Sequence, residues 1–410
     1  MALRDGPADE ALLAAWKTFC QRLQDAGERA FKDENPADPA MRVDALRFLT
    51  QNLGQAFDLA LETRDTRYPL LHDFCNPTRK LGGDAADFMY HQAWIDGQSA
   101  YKISGAKGTA RFLNITVQGP RPANQPGTEI RSLHEPFGDI PEANIFGHQI
   151  QANANGDFEL FIGGEKRDAN WLPTTPGSRK LFLRQAFDRW DETPAQLSIE
   201  RLSMDGPKPL PTSEVMIEAI EWAGDFLTGV MNDWPEHPFY CTPARYLDHV
   251  NAFPPTPASD AASDKKRGRA AANMTWAIEP DEALLLEFDA HDGFWSLTNM
   301  GVFFNSMDYL YRPVSYTPSR TKIDSDGRVR FVLAHDDPGV HNWIDTQGFT
   351  RGNLTYRNLM SDAYADLSTR LTKRADLAAA LPADTAKVTA DERHALMLTR
   401  FNAIRRRYRL

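Results

Sequence analysis

The densest group of side chains that could carry out chemistry lies at residues 333–343, in the sequence Leu-Ala-His-Asp-Asp-Pro-Gly-Val-His-Asn-Trp. Its histidines, His335 and His341, and its carboxylates, Asp336 and Asp337, could transfer protons near neutral pH or bind a metal. The two histidines are six residues apart, which is neither the i, i+4 spacing of a zinc-binding helix nor that of a compact zinc finger. Asp-Asp-Pro-Gly is also a favourable turn sequence. A structural turn, proton transfer by His341 and a metal site are therefore three open interpretations.

A second feature is the pair His341 and Asp345, which flank Asn342 and Trp343. An imidazole and a carboxylate at this spacing could pass a proton to and from a ligand near neutral pH. The competing interpretation is a surface turn whose charges are solvated. We predict that His341 and Asp345 are catalytic and that Asn342 and Trp343 bind the substrate.

The segment 308–316, Asp-Tyr-Leu-Tyr-Arg-Pro-Val-Ser-Tyr, offers an electrophilic partner for such a site. The Arg312 guanidinium could stabilise negative charge that develops on a ligand, with the Tyr309 hydroxyl beside it. A regular strand would place these two side chains on opposite faces, so the pair requires a bend near Pro313. Buried Tyr and Arg side chains also serve purely structural roles. We add Tyr309 and Arg312 to the predicted catalytic set, and Trp295 to the substrate-binding set.

Several classes of protein are disfavoured by what the sequence lacks. There is no G-x-S-x-G elbow, no phosphate-binding P-loop and no H-E-x-x-H zinc motif. The pair Gly163-Gly164 precedes charged residues and not an apolar helix, so it does not predict a dinucleotide site. We therefore expect no cofactor. The net charge of −10 also argues against nucleic acid as a partner, because binding phosphates requires a concentrated basic surface.

Composition also bears on where the protein works. The three cysteines, Cys20, Cys75 and Cys241, are widely scattered, which is typical of reduced thiols and not of a disulfide framework. No run of 18 apolar residues predicts a membrane span, and the first ten residues lack the apolar core of a secretory signal. We expect a soluble, cytoplasmic protein without a membrane partner.

The elements that must position the candidate residues are repeated within the chain. The shared positions are a turn glycine (Gly156 and Gly327), an Asn-Trp pair (Asn170-Trp171 and Asn342-Trp343) and an arginine (Arg184 and Arg357). The offset between the copies is 171 residues for the glycines, 172 for the Asn-Trp pairs and 173 for the arginines. So little drift predicts a duplicated β unit, with Trp171 and Trp343 in equivalent buried positions. Two copies indicate a duplicated domain and not a solenoid, which needs three or more repeats.

Hydrophobic periodicity predicts helices around the two β units. Apolar residues recur every three or four positions near the N-terminus, from Leu12 through Trp16 and Phe19 to Ala30, and again in segments around Ile220 and Phe401. The predicted segments are an N-terminal helical region at 1–65, a first β unit at 66–205, a helical insertion with a mobile loop (254–272) at 206–275, a second β unit at 276–360, and C-terminal helices at 361–410.

Several motifs resemble the bacterial family named domain of unknown function 1214. They are Asn-Pro-Thr-Arg-Lys-Leu-Gly-Gly-Asp at 76–84, Tyr-His-Gln-Ala-Trp-Ile-Asp-Gly at 90–97, Asn-Trp-Leu-Pro at 170–173, Trp-Ser-Leu-Thr at 295–298 and Asp-Asp-Pro-Gly-Val-His-Asn-Trp at 336–343. The resemblance implies an α+β fold of two β-sandwich or jelly-roll-like units with flanking helices, assembled as a homo-oligomer. It implies no reaction. The second copy has Asn-Trp-Ile-Asp at 342–345, where the family pattern is Asn-Trp-Leu-Pro.

This departure leads to the functional hypothesis. Because the first copy has Ala169 and Pro173 where the second has His341 and Asp345, we expect the second unit to carry the site. The many aromatic residues favour a cleft for a small, largely apolar ligand. We therefore predict a cofactor-independent lyase, isomerase or hydrolase that uses acid–base catalysis. The alternative is a non-catalytic small-molecule-binding or assembly protein.

Overall fold

The computed structural model describes residues 6–31, 38–121, 139–203, 206–233, 250–253, 269–359 and 365–410. Within these ranges the fold is α+β, with four mainly antiparallel sheets arranged as two similar units. Helices precede the first unit, join the two units and follow the second. The predicted fold class is confirmed.

The first unit consists of nine strands in two sheets. They are β1 (His72–Cys75), β2 (Phe88–Trp94), β3 (Tyr101–Ala106), β4 (Phe112–Gly119), β5 (Ile140–Phe146), β6 (Asp157–Ile162), β7 (Trp171–Leu172), β8 (Lys180–Ala186) and β9 (Gln196–Arg201). The sheets have the orders β1-β2-β8-β4-β5 and β7-β6-β3-β9. Alternate residues of both sheets, such as Ile103 and Leu160 on one and Ile115 and Leu183 on the other, share one buried core. Such packing is that of a β-sandwich.

The second unit repeats this arrangement without a counterpart of β1. Its strands are β10 (Arg269–Ala277), β11 (Glu282–Asp289), β12 (Phe294–Met300), β13 (Ser315–Tyr316), β14 (Arg328–Ala334), β15 (Trp343–Asp345), β16 (Arg351–Leu359) and β17 (Ser368–Lys373). The sheets have the orders β10-β16-β12-β13 and β15-β14-β11-β17, so β2 to β9 correspond in order to β10 to β17. The glycines of the repeated turn, Gly156 and Gly327, have φ angles of 84° and 82°, which other residues rarely adopt.

The repeated tryptophans occupy equivalent positions. Trp171 begins β7, which pairs in parallel with β6, and Trp343 begins β15, which pairs in parallel with β14. Each indole nitrogen donates to a carbonyl two residues beyond its paired residue: Trp171 to Gly163 at 3.0 Å and Trp343 to Ala334 at 3.1 Å. Trp343 is buried, whereas Trp171 is only partly buried. The predicted equivalence is confirmed, but burial of both indoles is not.

The helices are α1 (Pro7–Glu28), α2 (Pro39–Phe57), α3 (Ser213–Thr228), α4 (Leu377–Ala380) and α5 (Ala390–Tyr408). Helices α1 to α3 pack together against the first unit, α4 packs on the second unit, and α5 lies along the junction of the two units. Of the predicted N-terminal stripe, Phe19 is buried in the helical core, but Trp16 is 48% exposed. Helix α5 begins with a capping box in which Thr389 and Glu392 satisfy each other's backbone N–H groups. In the described part of the chain, no helix is long and apolar enough to cross a membrane.

One expectation about a chain segment needs correction, and a second lies mostly outside the described residues. The segment that includes Leu371 was expected to be helical, but residues 368–373 form β17, which pairs with β11. Leu367 and Leu371 are four residues apart, a spacing that fits a helix. The edge of β11 nevertheless offers backbone hydrogen bonds to this Ser- and Thr-containing segment, and this pairing outweighs the local spacing. Most of the predicted mobile loop, residues 254–268, lies outside the described residues, and residues 269–272 belong to β10.

Buried polar contacts join the two units. The Lys80 ammonium of the first unit donates to the Ser306 and Met307 carbonyl oxygens of the second at 2.8 and 2.5 Å. The Asp84 carboxylate accepts from the Ser306 N–H and hydroxyl groups at 2.9 and 2.5 Å. Burial lowers the pKa of Lys80 to about 8. Each unit therefore supplies partners that the polar groups of the other require.

Candidate functional site

A cleft of about 230 Å³ lies where the two units and helix α5 meet. Its apolar lining consists of Trp190, Pro313, Tyr316, Leu396 and Met397, and its basic lining of Arg320, Lys322, His341, Arg393 and Arg400. Ser319 and Thr321 complete the wall. We call this the His341 cleft. No carboxylate is among the described residues that line it. Arg320 and Arg393 are paired with Asp87 and Asp337, so Lys322 and Arg400 give the lining its net positive charge.

The loop of the first unit that carries Trp190 is fixed to the second unit. The Asp188 carbonyl oxygen accepts from the Thr317 and Ser319 hydroxyls at 2.8 and 2.7 Å, and the Asp188 carboxylate accepts from the Ser319 N–H at 3.0 Å. The Glu192 carboxylate accepts from the Asp188 and Arg189 N–H groups, which closes the loop. These bonds place an indole from one unit beside the basic residues of the other.

Two arginines enclose the Trp190 ring. The Arg320 guanidinium carbon lies 4.1 Å from the ring centroid and that of Arg400 lies 5.1 Å away. Arg320 is held by Asp87, whose carboxylate is 2.6 Å away, and Arg400 donates to the Ser315 carbonyl oxygen at 2.6 Å. Burial lowers the pKa of Arg400 to about 10, so it stays charged at neutral pH. The Trp190 ring therefore forms an apolar part of the cleft lining, held between the charged groups of Arg320 and Arg400.

The hydrogen bonds of Asn342 determine the tautomer of His341. The Asn342 Oδ1 atom accepts from the Lys322 N–H at 2.9 Å, while Nδ2 donates to the carbonyl oxygens of Lys322 and Arg330 at 2.7 and 2.9 Å. This pattern fixes the orientation of the amide. The His341 Nδ1 atom lies 3.0 Å from the same Oδ1 atom. An acceptor at that position requires a proton on Nδ1, and the lone pair is then on Nε2.

The surroundings of His341 keep its imidazole neutral at pH 7. Burial lowers its pKa; the hydrogen bond to Asn342 opposes this, and the charges of Lys322 and Arg393 lower it further. No described residue forms a hydrogen bond with Nε2. A neutral imidazole with a bare Nε2 atom can accept a proton from a ligand.

The basic residues nearest to His341 differ in how their charges are balanced. Arg393 forms an ion pair with Asp337, at 2.9 Å between Nε and Oδ2, and donates to the His341 carbonyl oxygen at 3.2 Å. Lys322 is exposed, and among the described residues its ammonium has no ion-pair partner. Lys322 is therefore available to an anionic ligand.

The family model for Protein of unknown function (DUF1214) matches residues 90–186 and 260–362, one region in each unit. The chain contains a duplicated DUF1214 unit. The second matched region contains Arg320, Lys322 and His341, whereas Trp190 and the residues of α5 lie outside both regions. The His341 cleft thus combines DUF1214 residues with flanking parts of the chain.

Solved structures resemble this chain to different degrees. A crystal structure of an uncharacterized protein from Burkholderia cenocepacia has a TM-score of 0.80 and 25% identity, and the match covers 90% of this chain and 99% of that one. A protein from Vibrio parahaemolyticus has a TM-score of 0.43 and 13% identity, with 86% of this chain and 100% of that one covered. No curated protein matches the sequence.

The structure places two of the predicted catalytic residues together, but not at this cleft. Asp345 is buried and forms an ion pair with Arg312 at 2.8 Å, and its other oxygen accepts from the Gln347 N–H at 2.7 Å. Neither Asp345 nor Arg312 is among the residues that line the His341 cleft. Their contacts hold the segment that follows β15.

Tyr309 lies apart from Arg312. Its side chain is 1% exposed, and the Lys80 ammonium lies 4.4 Å from the centroid of its ring. Burial raises the pKa of the Tyr309 hydroxyl well above its usual value. The hydroxyl forms a hydrogen bond with the Tyr408 hydroxyl of helix α5 and does not pair with Arg312.

The three predicted substrate-binding residues do not line the His341 cleft. Trp295 is 2% exposed and packs edge to face on Phe288 in the core of the second unit. Trp343 is buried beneath Arg393, 5.3 Å from its guanidinium, and Asn342 orients His341.

The histidine-rich segment forms a turn. His335 approaches the Ile278 carbonyl oxygen and the Thr346 hydroxyl, each at 3.3 Å, and does not line the cleft. Asp336 forms an ion pair with Arg374, as Asp337 does with Arg393. Within the described ranges, no group of three or more His, Cys, Asp or Glu side chains could hold a metal ion.

Sequence reasoning missed most of the cleft lining. Trp190, Lys322 and Arg400 are distant in the sequence and belong to no motif. One signal was present: Arg393, Arg400 and Arg407 recur every seven residues in the terminal helix, which places them on one face.

Proposed function

We propose that the His341 cleft binds a small organic anion with an apolar body, and that His341 transfers a proton to or from this ligand without a cofactor. The observation that supports the proposal is a neutral imidazole with a bare Nε2 atom in a cleft lined by cations and no carboxylate. Trp190, Leu396 and Met397 would contact the apolar part of the ligand. The reaction class is a lyase, isomerase or hydrolase.

The chemistry follows from the proposed contacts. The Nε2 atom accepts a proton from the bound ligand, and the imidazolium keeps its Nδ1–H bond to Asn342. Lys322 and Arg393 stabilise the negative charge that remains on the ligand. The proton returns to another atom of the ligand or to a leaving group, so no redox partner is required.

Binding without turnover is the second candidate function. It is favoured by the lining itself, in which His341 is the one side chain that titrates near neutral pH. A reaction that needs a separate acid and base would then require a group from the ligand or from water.

A ligand screen tests the proposal on the full-length protein. Benzoate and phenylpyruvate serve as probes, and benzamide is the matched neutral compound. We expect the acids to raise the melting temperature and benzamide to have no effect, because the lining is cationic. Equal effects of benzoate and benzamide would contradict anion binding.

Variants separate binding from catalysis. His341→Gln should reduce turnover of any substrate found by at least about 100-fold, the usual contribution of a general base, while the acids still bind. Lys322→Gln should weaken binding of the acids. His335→Gln, in the same unit but outside the cleft, is the control and should leave both properties unchanged. If His341→Gln keeps full turnover, His341 is not the group that transfers the proton and the proposed catalytic role is wrong.

The expected assembly and location are part of this proposal. We propose a homo-oligomer in the cytoplasm, on the basis of exposed apolar side chains on α1, such as Leu13 and Trp16, and of the sparse cysteines. Light scattering of the purified protein would test the assembly, and a monomer at micromolar concentration would contradict it.

A further inference from the structure

Helix α5 buries three arginines along one face, and each lies over an aromatic ring. The guanidinium of Arg393 is 5.3 Å from the Trp343 ring centroid, that of Arg400 is 5.1 Å from Trp190, and that of Arg407 is 3.8 Å from Phe187. All three residues are at most 8% exposed. Burial on this scale makes a guanidinium dependent on partners within the protein or on a ligand.

The three arginines differ in the partners that they have. Arg393 has the Asp337 carboxylate, and Arg400 has the Ser315 carbonyl and hydroxyl oxygens. Arg407 has neither an ion pair nor a hydrogen bond to any residue in the described ranges, and its Nε atom is buried without an acceptor. It is therefore a buried cation whose partner is missing from the described chain.

Two carboxylates act electrostatically on Arg407, and both also interact with other residues. Its electrostatic neighbours include Asp87 and Glu192. Asp87 forms an ion pair with Arg320 at 2.6 Å, and Glu192 accepts from the backbone N–H groups of Asp188 and Arg189. Neither carboxylate forms an ion pair with Arg407, and the Asp87 Oδ2 atom is buried without a hydrogen-bond partner of its own.

Arg407 lines a second cleft, which lies in the first unit. This cleft has a volume of about 530 Å³ and opens between the end of α5, strands β1 and β2, and strands β3 and β9. Its polar lining includes Arg407, Arg409, Ser104, Ser198 and His91. We call it the Arg407 cleft. Its apolar lining includes Leu71, Met89 and Leu197.

One carboxylate, Asp73, also lines the Arg407 cleft. It is held by His91, at 3.0 Å between Nε2 and Oδ1, and it does not contact Arg407. The His91 Nδ1 atom is buried and has no hydrogen-bond partner. The cleft therefore contains two side chains, Arg407 and His91, with polar atoms that the described residues leave unsatisfied.

We propose that the Arg407 cleft binds a small hydrophilic anion, a phosphate or carboxylate compound, with Arg407 as its principal cation. A guanidinium recognises both groups through paired N–H donors. Ser104 and Ser198, whose hydroxyl oxygens lie 3.3 Å apart, supply neutral donors for hydroxyl or anion oxygens of the ligand. This inference does not depend on the function proposed for the His341 cleft.

Calorimetric titration of the full-length protein with inorganic phosphate and with tartrate tests the inference and separates the two anion classes. We expect saturable binding of at least one of them. Arg407→Gln should weaken that binding at least ten-fold. Arg406→Gln removes the same charge from an exposed position of the same helix and should bind as the wild type does.

Three results would overturn the inference: no saturable binding to the wild type, unchanged binding by Arg407→Gln, or an equal loss in Arg406→Gln. If Arg407→Gln does not fold, NMR of the wild-type protein decides the question. The bound anion should shift the imidazole signals of His91 and leave those of His335 in place. A shift of His335 alone, or of neither, would contradict a site at this cleft.

Discussion

The two Asn-Trp pairs of this protein have the same backbone role and different neighbours. In the first unit, Asn170 exchanges two hydrogen bonds with the backbone of Gln151, and in the second Asn342 does the same with Lys322. The preceding residue is Ala169 in one copy and His341 in the other. The comparison shows that an asparagine which holds a strand in place can also orient an imidazole. The backbone of the two copies differs here, since Asn170 has a φ angle of 46° and Asn342 has no positive φ angle.

The largest expected difference between the copies concerns their tryptophans. Trp343→Ala should lower the free energy of unfolding by about 3–5 kcal/mol, because it removes a buried indole from the core. Trp171→Ala should cost about 1–2 kcal/mol, since that ring is partly exposed. Urea denaturation of both variants measures the difference. Equal losses would show that burial does not distinguish the two positions.

The asparagines should show a smaller difference. Asn342→Ala removes an additional bond, to the Arg330 carbonyl oxygen, from a buried position, and should cost about 1–3 kcal/mol. Asn170→Gly, which tolerates the φ angle of 46° at this position, should cost less, because Asn170 is only partly buried. The same Asn342 substitution should lower the pKa of His341, since the hydrogen bond to Asn342 raises it. Denaturation and an NMR titration of His341 check both statements, and a pKa that rises would contradict the proposed tautomer.

The smallest effect is the pH dependence that His341 adds to stability. Its pKa in the folded protein lies below the usual value of 6.5, because burial disfavours the charged imidazole. As the pH falls below 6.5, the unfolded chain takes up a proton that the folded chain does not, so the free energy of unfolding decreases. His341→Gln should lack this decrease.

Urea midpoints at pH 7.5 and pH 5.5 for the wild type and His341→Gln provide the measurement. Ala169→His in the first copy sharpens the comparison, because it places an imidazole beside Asn170 away from the His341 cleft. That imidazole should titrate closer to 6.5 than His341 does. If both titrate together, the cleft is not the cause of the shift.

The sequence was a good guide to repeated and periodic features. The duplication was predictable because Gly156, Asn170 and Trp171 have local backbone roles that must recur wherever the unit recurs. The strand at 368–373 was not predictable from spacing, since the edge of β11 that it completes is about 80 residues away in the sequence. Local patterns therefore identified the units but not all of their edges.

The candidate site was only partly predictable for a similar reason. His341 and Asn342 are adjacent in the sequence, so their relation could be inferred. Tyr309 and Arg312 are also close in sequence, but the turn between them sends one side chain to the unit junction and the other to Asp345. The basic lining of the His341 cleft depends on the contacts of Asp188 and on α5, neither of which a motif reveals.

The buried Lys80 at the junction makes the stability of one unit depend on the other. Without the carbonyl oxygens of Ser306 and Met307, its ammonium would be left buried without acceptors or exposed together with the apolar surface around it. Neither duplicated unit is therefore self-sufficient, although each has its own sandwich core. We expect the two units to depend on each other for stability and to unfold together in a single cooperative transition.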